Sequence, residues 1–402
     1  MRRHRLRSTA MIATTAITVL ALVACGSSDS GESGSSDSSG DVTSSDWYQA
    51  AQANIETATQ GTDGDMPATG PVAATGKSVW VISCDSSAPG CATPASGAEE
   101  AAKAIGWGVQ VFDGKSDPTK YAEGIRSAIT AKADALILDS VDCRSVKQPL
   151  AEARAAGLKV YGINSFDCDD PITDDGGEAM FDGSNLMIGD QTYADYLDTV
   201  FGPTQADYAI TQTEGKAKVI ELTETDLVVT QHLAKGFESG LEKCTSCEIV
   251  KTVPITLSDL VGGKLQEKVS AALTQHPEAN VIYAQYDATI LLGVGQAAVA
   301  ANRPGLITIG SEGLEPNVEL IKEGKGQSAA FGPAAWRAGW AAIDGLNRIF
   351  AGEPAVSTGI GLQLIDKDHL PTDPAYYDGN FDESGKTILD YRSGYKKIWG
   401  VG

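Results

Sequence analysis

One stretch, Lys77 to Cys91, restricts the fold more than any other part of the chain. Ser78 to Ser83 is a β-branched and aromatic run that is too short for a helix, so it predicts a buried strand. A polar loop follows between two cysteines, and a helical pattern begins at about Pro94. Strand, loop and helix open a doubly wound α/β fold, in which ligands lie outside the carboxyl ends of the strands. The loop of residues 85–90 is therefore expected to form the first wall of a binding cleft.

From this unit onward, strands and helices alternate with a period of about 25 to 30 residues. The pattern predicts strands at 78–83, 109–112, 135–139, 159–163 and 178–181, with helices at 94–105, 118–131 and 145–156 and a further helix opening at 182–185 and reaching about 201. Short strands separated by single helices favour a right-handed parallel sheet with both faces covered.

The same alternation then starts again. It predicts strands at 218–222, 248–253, 281–284, 306–309, 327–331 and 360–365, and helices at 227–241, 257–275, 289–301, 316–323 and 333–350. From Gly76 to the end, the chain has about 327 residues, which is too many for one comfortable core. Two similar α/β lobes are therefore expected.

The amino terminus predicts an export signal. Four arginines lie within the first seven residues, and 10–24 is an apolar stretch too short for a transmembrane helix. It ends in Leu22-Val23-Ala24-Cys25-Gly26, which resembles the lipobox of bacterial lipoproteins. The resemblance implies cleavage before Cys25 and a lipid on its sulfur, so 1–24 is expected to be a lipoprotein signal peptide. The alternative is an ordinary secretory signal with an incidental cysteine.

Residues 25–76 are expected to form a lipid-anchored linker. The segment 26–45 is almost entirely Ser, Gly, Asp and Glu, which cannot bury enough apolar surface to fold. A short helix is predicted at 46–59, and a second Gly- and Pro-containing linker at 60–76. The mature protein is therefore expected outside the cytoplasm, anchored to the outer face of the bacterial cell membrane through Cys25.

The charge excludes one class of partner. Loss of the first 24 residues removes four arginines and no acidic side chains, which changes the formal charge from −22 to −26. Nucleic-acid binding needs clustered Lys and Arg against phosphate, so nucleic acid is not expected as a partner.

Six cysteines remain after Cys25, an even number that suggests disulfides in an exported chain. Six cysteines allow fifteen connectivities. Local pairing is our prediction: Cys84–Cys91, Cys143–Cys168 and Cys244–Cys247. The last pair could be read as a redox or zinc motif, but no second such pair and no histidine lie near it, so a disulfide that closes a short turn is favoured.

Several segments together resemble a known family: "DGKSDPTKYAEGIRSAITAKADALILDSVD", "PLAEARAAGLKVYGINS", "TQHPEANVIYAQYD" and "ITIGSEG". They are similar to the type I periplasmic substrate-binding proteins of the ribose and sugar type. The resemblance implies two Rossmann-like lobes, each a parallel sheet flanked by helices, joined by a three-crossover hinge. It implies an N-terminal lobe of 77–182 plus 333–355 and a C-terminal lobe of 183–332 plus part of 356–402. The crossovers are expected near 182–185, 332–333 and 355–359.

The resemblance also implies a set of ligand contacts by position. These residues are Ser86, Ser87, Asp139, Asn164, Ser165, Gln231 (or His232 with a one-residue shift), Tyr286, Glu312 and Trp336. Two family arginines are missing from this set, and so are the two phenylalanines that sandwich a sugar ring. Aromatic faces would then come from Phe166, Tyr286 or Trp336, and carboxylates from Asp139 and Glu312. A sugar and another small polar or aromatic solute both remain open.

Several of these residues have plainer interpretations. Asp139 and Glu312 could cap the helices that follow them, and Tyr286 could belong to the core. Trp336 and Trp340 could form one packed helix face, and Asn164 with Ser165 could merely close a turn. The acidic run 167–175 could suggest calcium, but it lacks the spacing of an EF-hand loop, so a solvated loop is favoured.

The function expected from the resemblance is a solute-binding protein that delivers a small polar ligand to an ABC permease. The expected partners are that ligand, the permease subunits and, through the lipid alone, the membrane; a monomer without cofactor or metal is expected. The alternatives are a sensor module for a membrane signalling partner and a binder of aromatic or amino-acid-like solutes. An enzyme is disfavoured, because the sequence has no G-x-S-x-G and no H-E-x-x-H motif.

Overall fold

The computed structural model of the chain describes residues 42–173, 177–372 and 378–402. Its strands are β1 Ser78–Ser83, β2 Gly108–Asp113, β3 Ala135–Asp139, β4 Lys159–Ile163, β5 Gly183–Ser184, β6 Lys218–Glu224, β7 Glu248–Ile255, β8 Val281–Tyr283, β9 Ile307–Ile309, β10 Ala329–Gly332 and β11 Gln363–Asp366. The predicted signal peptide, Cys25 and most of the first linker lie outside the described residues.

The helices are α1 Asp46–Gln60, α2 Pro89–Ile105, α3 Pro118–Thr130, α4 Cys143–Ala155, α5 Tyr193–Tyr196, α6 Gly202–Gln212, α7 Val228–Leu241, α8 Leu257–Val261, α9 Leu265–Gln275, α10 Asp287–Thr289, α11 Gly295–Ala301, α12 Glu315–Glu323, α13 Ala335–Ala351 and α14 Tyr391–Trp399. Two π-helical turns join neighbouring helices: Leu197–Phe201 connects α5 to α6, and Ile290–Val294 connects α10 to α11.

The N-terminal lobe is built on a sheet of order β2-β1-β3-β4-β5, in which every neighbouring pair is parallel. Helices cover both faces, so β3 is buried at all five positions. Helices α2 and α13 cover one face, and α3 and α4 cover the other. The predicted first four strands and their three helices are found here.

The C-terminal lobe is built on a sheet of order β11-β10-β9-β8-β6-β7. All its pairs are parallel except the edge strand β11, which runs antiparallel to β10. Helices α6 and α7 pack on the face that carries Val219, and α9 and α11 pack on the face that carries Ile220 and Leu222.

The chain passes between the two sheets three times. It leaves the first sheet after β5, returns from β10 to α13, and crosses again between α13 and β11. Two α/β lobes joined in this way confirm the predicted fold class.

Several predicted elements were wrong in the N-terminal lobe. Residues 178–181 form no strand; the two-residue β5 pairs with β4 instead. Because β5 occupies 183–184, the helix predicted to open at 182–185 begins only at Tyr193, as α5. Helix α2 begins at Pro89 rather than Pro94, because proline is tolerated in the first turn of a helix.

One predicted helix of the C-terminal lobe was also wrong. The helix expected at 257–275 is divided into α8 and α9 at Gly262 and Gly263, where Gly263 has a left-handed φ of 65°. Glycine adopts that conformation without a steric penalty, so the pair ends the first helix.

The terminal segments cross between the lobes. Helix α1 packs on α6, where Asn54 Nδ2 donates to Asp207 Oδ2 at 2.7 Å. The following linker reaches α13, where Asn347 bonds the backbone at 71 and 74. At the other end, β11 belongs to the C-terminal sheet, whereas α14 packs on α13 through Trp399, whose ring stacks on Trp340 at 5.6 Å between centroids.

Candidate ligand-binding cleft

The carboxyl ends of the strands of both sheets lead into loops that meet between the lobes. In α/β sheets of this kind, ligands bind outside those strand ends. Glu312, in the loop after β9, approaches the first turn of α2 so closely that a side chain at Gly90 would collide with its Oε1. A C-terminal-lobe carboxylate therefore lies directly against the N-terminal lobe.

Glu312 is held in an uncommon backbone conformation. Its φ is 82°, in the region that favours glycine, and its backbone NH donates to Phe331 O at 2.9 Å. Its Oε2 accepts from the backbone NH of Asp287 at 3.2 Å. Burial raises the pKa of Glu312 to about 7, and the Asp287 backbone bond offsets only part of that effect. Strain of this kind is often found at functional sites.

Asp287 stabilises the loop that carries Glu312. Its fully buried carboxylate accepts from the backbone of Gly313 at 2.8 Å and Leu314 at 3.0 Å, and from Gln327 Nε2 at 2.8 Å. Burial raises its pKa well above the ordinary value, and the neighbouring Glu312 raises it further. Asp287 thus fixes the turn that presents Glu312.

Two tyrosines lie beside Glu312. The Tyr286 hydroxyl donates to Glu224 Oε2, and burial raises the pKa of Glu224 to about 7. Burial also raises the pKa of Tyr193, and the charges of Glu312 and Asp142 add to the shift. Tyr193 and Tyr286 are both half-buried, so they border the cleft from the C-terminal lobe.

Asp139 ends β3 at the same edge of the N-terminal sheet. It is fully buried, and within the described residues neither carboxylate oxygen forms a well-aligned hydrogen bond. Burial raises its pKa well above the ordinary value, with a weaker opposing effect from the Ser83 hydroxyl. A buried polar group without a partner needs an explanation, and a bound ligand is one.

His232 connects the two lobes. Its Nε2 lies 3.1 Å from Asp170 Oδ2 of the N-terminal lobe, and its Nδ1 lies 2.8 Å from Asp198 Oδ1 of the C-terminal lobe. Its ring stacks on Phe166 at 4.9 Å between centroids. Burial opposes the charged form, but the bonds to the two aspartates outweigh burial and raise the pKa of His232.

A second contact between the lobes lies at the start of α4. Arg144 Nη2 donates to Asp226 O at 2.8 Å. Asp142 Oδ1 accepts from the backbone NH of Phe166 at 3.1 Å. Burial raises the pKa of Asp142 to about 6, against the opposing effects of the Phe166 backbone, Arg144 and the Val228 backbone.

The other residues predicted to contact the ligand differ in their burial and in their hydrogen bonds. Asn164 is half-buried at the end of β4 with a left-handed φ of 50°. Ser165 is used locally, since its hydroxyl donates to the backbone carbonyl at 138 or 163 and accepts from the backbone NH at 141. Gln231 Nε2 donates to the carbonyl at 227 within the first turn of α7. Ser86 and Ser87 are exposed, with their backbone NH groups bonded to the carboxylates at 113 and 85.

Trp336 lies away from these groups. Its Nε1 donates to Glu100 Oε2, and the Arg392 guanidinium lies 5.7 Å from its ring centroid. Its contacts therefore belong to α2 and α14.

The structure forms disulfides between Cys84 and Cys91, Cys143 and Cys168, and Cys244 and Cys247. The first of these ties the loop after β1 to the first turn of α2. In the acidic loop, Asp167 accepts from the backbone at 180 and 181, and Asp170 bonds His232. Asp174 and Asp175 lie outside the described residues.

Sequence reasoning missed Tyr193, Asp142 and the two aspartates of His232. Asp142 had a local signal, because Asp is favoured immediately before a helix. The pairing of His232 with Asp170 and Asp198 joins residues 62 and 34 positions apart, so no local pattern could reveal it.

Two α/β lobes that enclose polar groups between their strand ends define a two-lobed binding protein. The family model described as periplasmic binding protein domain matches residues 79–354, and the chain belongs to that family. None of the curated proteins matches it. Within the described residues, no helix is long and apolar enough to cross a membrane.

Solved structures show the same fold. An ABC transporter solute-binding protein from Mycobacterium smegmatis with bound glycerol is 22% identical, with a TM-score of 0.58 over 73% of this chain and 94% of that chain. One from Agrobacterium vitis with bound α-D-tagatopyranose is 18% identical, with a TM-score of 0.64 over 76% and 99%. A chain of the XylFII–LytSN complex is 16% identical, with a TM-score of 0.58 over 74% and 100%.

Proposed function

We propose that this protein is a membrane-anchored extracytoplasmic solute-binding protein, which closes on a small polar ligand of the sugar type and delivers it to an ABC permease. The observation that carries the proposal is the contact of Glu312 with the first turn of α2, because it brings polar groups of both lobes to one cleft. A ligand that bridges the lobes stabilises the closed form by its differential affinity for that form. No catalytic step is part of this function.

Anchoring through Cys25 supports delivery, because a tether raises the local concentration beside a permease. The anchor is tested by partitioning into detergent, which Cys25→Ala should abolish. The protein acts as a monomer in this proposal. A sensor is the second candidate, since one structurally similar chain is part of the XylFII–LytSN complex. Crosslinking in membranes of the parent cell distinguishes a permease from a signalling partner.

A thermal-shift screen against sugars, polyols, amino acids and aromatic acids tests the binding function. We expect one class to raise the melting temperature by several degrees, since a ligand at 100 times its Kd stabilises by about 2.7 kcal/mol. Glu312→Gly and Asn164→Gly should each weaken binding of the active compound at least about tenfold, or about 1.4 kcal/mol. Glycine is chosen because both residues have a positive φ.

Glu214→Gly is the matched control, since Glu214 has a φ of 52° and lies exposed on a distant turn. Unchanged affinity in both cleft variants would contradict the site.

A further inference from the structure

Four carboxyl groups of the cleft lack a basic partner among the described residues. Among the described residues, Asp139, Glu224, Asp287 and Glu312 form no ion pair with any lysine or arginine. Arg144, at the start of α4, is half-buried, and its guanidinium donates to the backbone carbonyl at 226. An anionic group placed beside these four carboxyl groups would therefore lack a basic partner from them.

Two tyrosines lie near the Glu312 carboxylate. Burial raises the pKa values of Tyr193 and Tyr286, and the charge of Glu312 adds to both shifts. A carboxylate attracts an ammonium group by charge, and tyrosine hydroxyls can accept a hydrogen bond from it.

A second observation also points to a ligand. Asp139 alternates along β3 with Ala135 and Ile137, whose side chains pack in the cluster with α2, so it lies on the face of the sheet that α2 covers; Glu312 approaches the first turn of that helix. Within the described part of the chain, its two buried oxygens form no well-aligned hydrogen bond, and the Ser83 hydroxyl affects its pKa less than burial does. They can accept from ligand hydroxyl or ammonium donors.

We propose that the ligand is a small hydroxylated solute carrying a protonated amine, such as an amino sugar or amino polyol, with the amine at the Glu312 carboxylate. This inference rests on the proposed binding function and names its ligand class. It goes beyond a neutral sugar, because the ammonium group supplies the positive partner that Glu312 lacks among the described residues.

Matched pairs of compounds test the class by calorimetry at pH 7. The pairs are D-glucosamine with D-glucose, D-galactosamine with D-galactose, and 1-amino-1-deoxysorbitol with sorbitol; N-acetylglucosamine adds a neutral amide. We expect at least one amine to bind about tenfold or more tightly than its neutral partner, and the preference to weaken at high salt.

Neutral compounds that bind as well as or better than every amine overturn the ligand class while the binding function stands. A response to none of the compounds contradicts both. Stabilisation by calcium chloride with no response to any amine also overturns the inference.

Charge at Glu312 gives an independent readout. Glu312→Gln should reduce the ratio of amine to neutral affinity about tenfold, whereas Glu214→Gln should leave the ratio unchanged. Because the pKa of Glu312 is raised to about 7, affinity for 1-amino-1-deoxysorbitol should rise about tenfold from pH 6 to pH 8. Asp287, Tyr193 and Tyr286 face the same group, and Glu224 is bonded to the Tyr286 hydroxyl. A flat pH profile for this amine would overturn the assignment to Glu312.

Discussion

At the residue scale, His232 shows how one side chain can link two lobes. Its ring nitrogens face one carboxylate from each lobe, and Lys235 holds the second oxygen of Asp198 at 2.6 Å. The family resemblance implied a ligand contact at Gln231 or His232, and the structure places the His232 ring between two carboxylates. Since the pKa of His232 is raised, its stabilising effect is present below about pH 6.5 and is lost as pH rises through the higher folded value.

We expect His232→Gln to lower the free energy of unfolding by about 3 kcal/mol at pH 6, because it removes one partner of a buried ion pair. The loss should be smaller at pH 9, because a rise in pH favours the neutral imidazole. Denaturant titrations at both pH values measure this difference.

His276→Gln is the matched control, since His276 pairs with Glu278 at the surface and such pairs contribute at most about 1 kcal/mol. An equal loss for His232→Gln at both pH values would contradict the charged bridge.

At the element scale, the contact of α2 with α13 positions the first wall of the cleft. Gly97 lies against the Trp336 backbone, and Gly339 lies against the backbone of Pro94 and Ala98. Helices that approach this closely leave no room for a Cβ. Small residues thus let α13, which follows a crossover, pack directly on the helix that begins at the cleft.

Gly339→Ala should therefore destabilise the protein by about 1–3 kcal/mol, because the backbones must move apart. The melting temperature checks this, with Ala351→Ser at the exposed end of α13 as a control that should change stability by less than about 0.5 kcal/mol. A wild-type melting temperature for Gly339→Ala would show that the helices can separate at little cost.

At the scale of the whole molecule, the N-terminal segment adds a connection between the lobes to the three crossovers. Helix α1 is bonded to α6 through Asn54, and residues 69–74 are bonded to α13 through Arg348 and the fully buried Asn347. Backbone bonds from residue 62 to residue 362 and from residue 64 to residue 359 join it to the third crossover. We therefore expect this segment to restrain the hinge.

Asn347→Ala should release this segment from α13, because the Ala74 NH and the Pro71 carbonyl lose their partner at a cost of about 1–3 kcal/mol. Hydrogen exchange should become faster at 69–76 while α1 stays protected, and small-angle scattering should show a larger ligand-free radius of gyration. Unchanged exchange at 69–76 would contradict the restraint.

The sequence by itself determined the two α/β lobes, because strand and helix periodicity is local and the four strands β1 to β4 are short segments rich in apolar residues. It also predicted Asp139, Asn164 and Glu312 at the carboxyl ends of strands. In a parallel sheet these ends, and the loops that follow them, lie at one edge. The sequence wrongly predicted a strand at 178–181. This mostly apolar segment does not pair with a neighbouring strand.

Only the tertiary structure decided how the cleft is charged. Tyr193 with Glu312, Asp170 with His232, and Gly90 with Glu312 come together through hinge crossovers, across long separations in sequence. Burial then raises the pKa of Glu312 to about 7, an effect that depends on the atoms around the carboxyl group and not on its neighbours in sequence. Residues 77–91 were predicted to form one wall of the cleft. The group opposite them is the Glu312 carboxylate, which only the tertiary structure brings there.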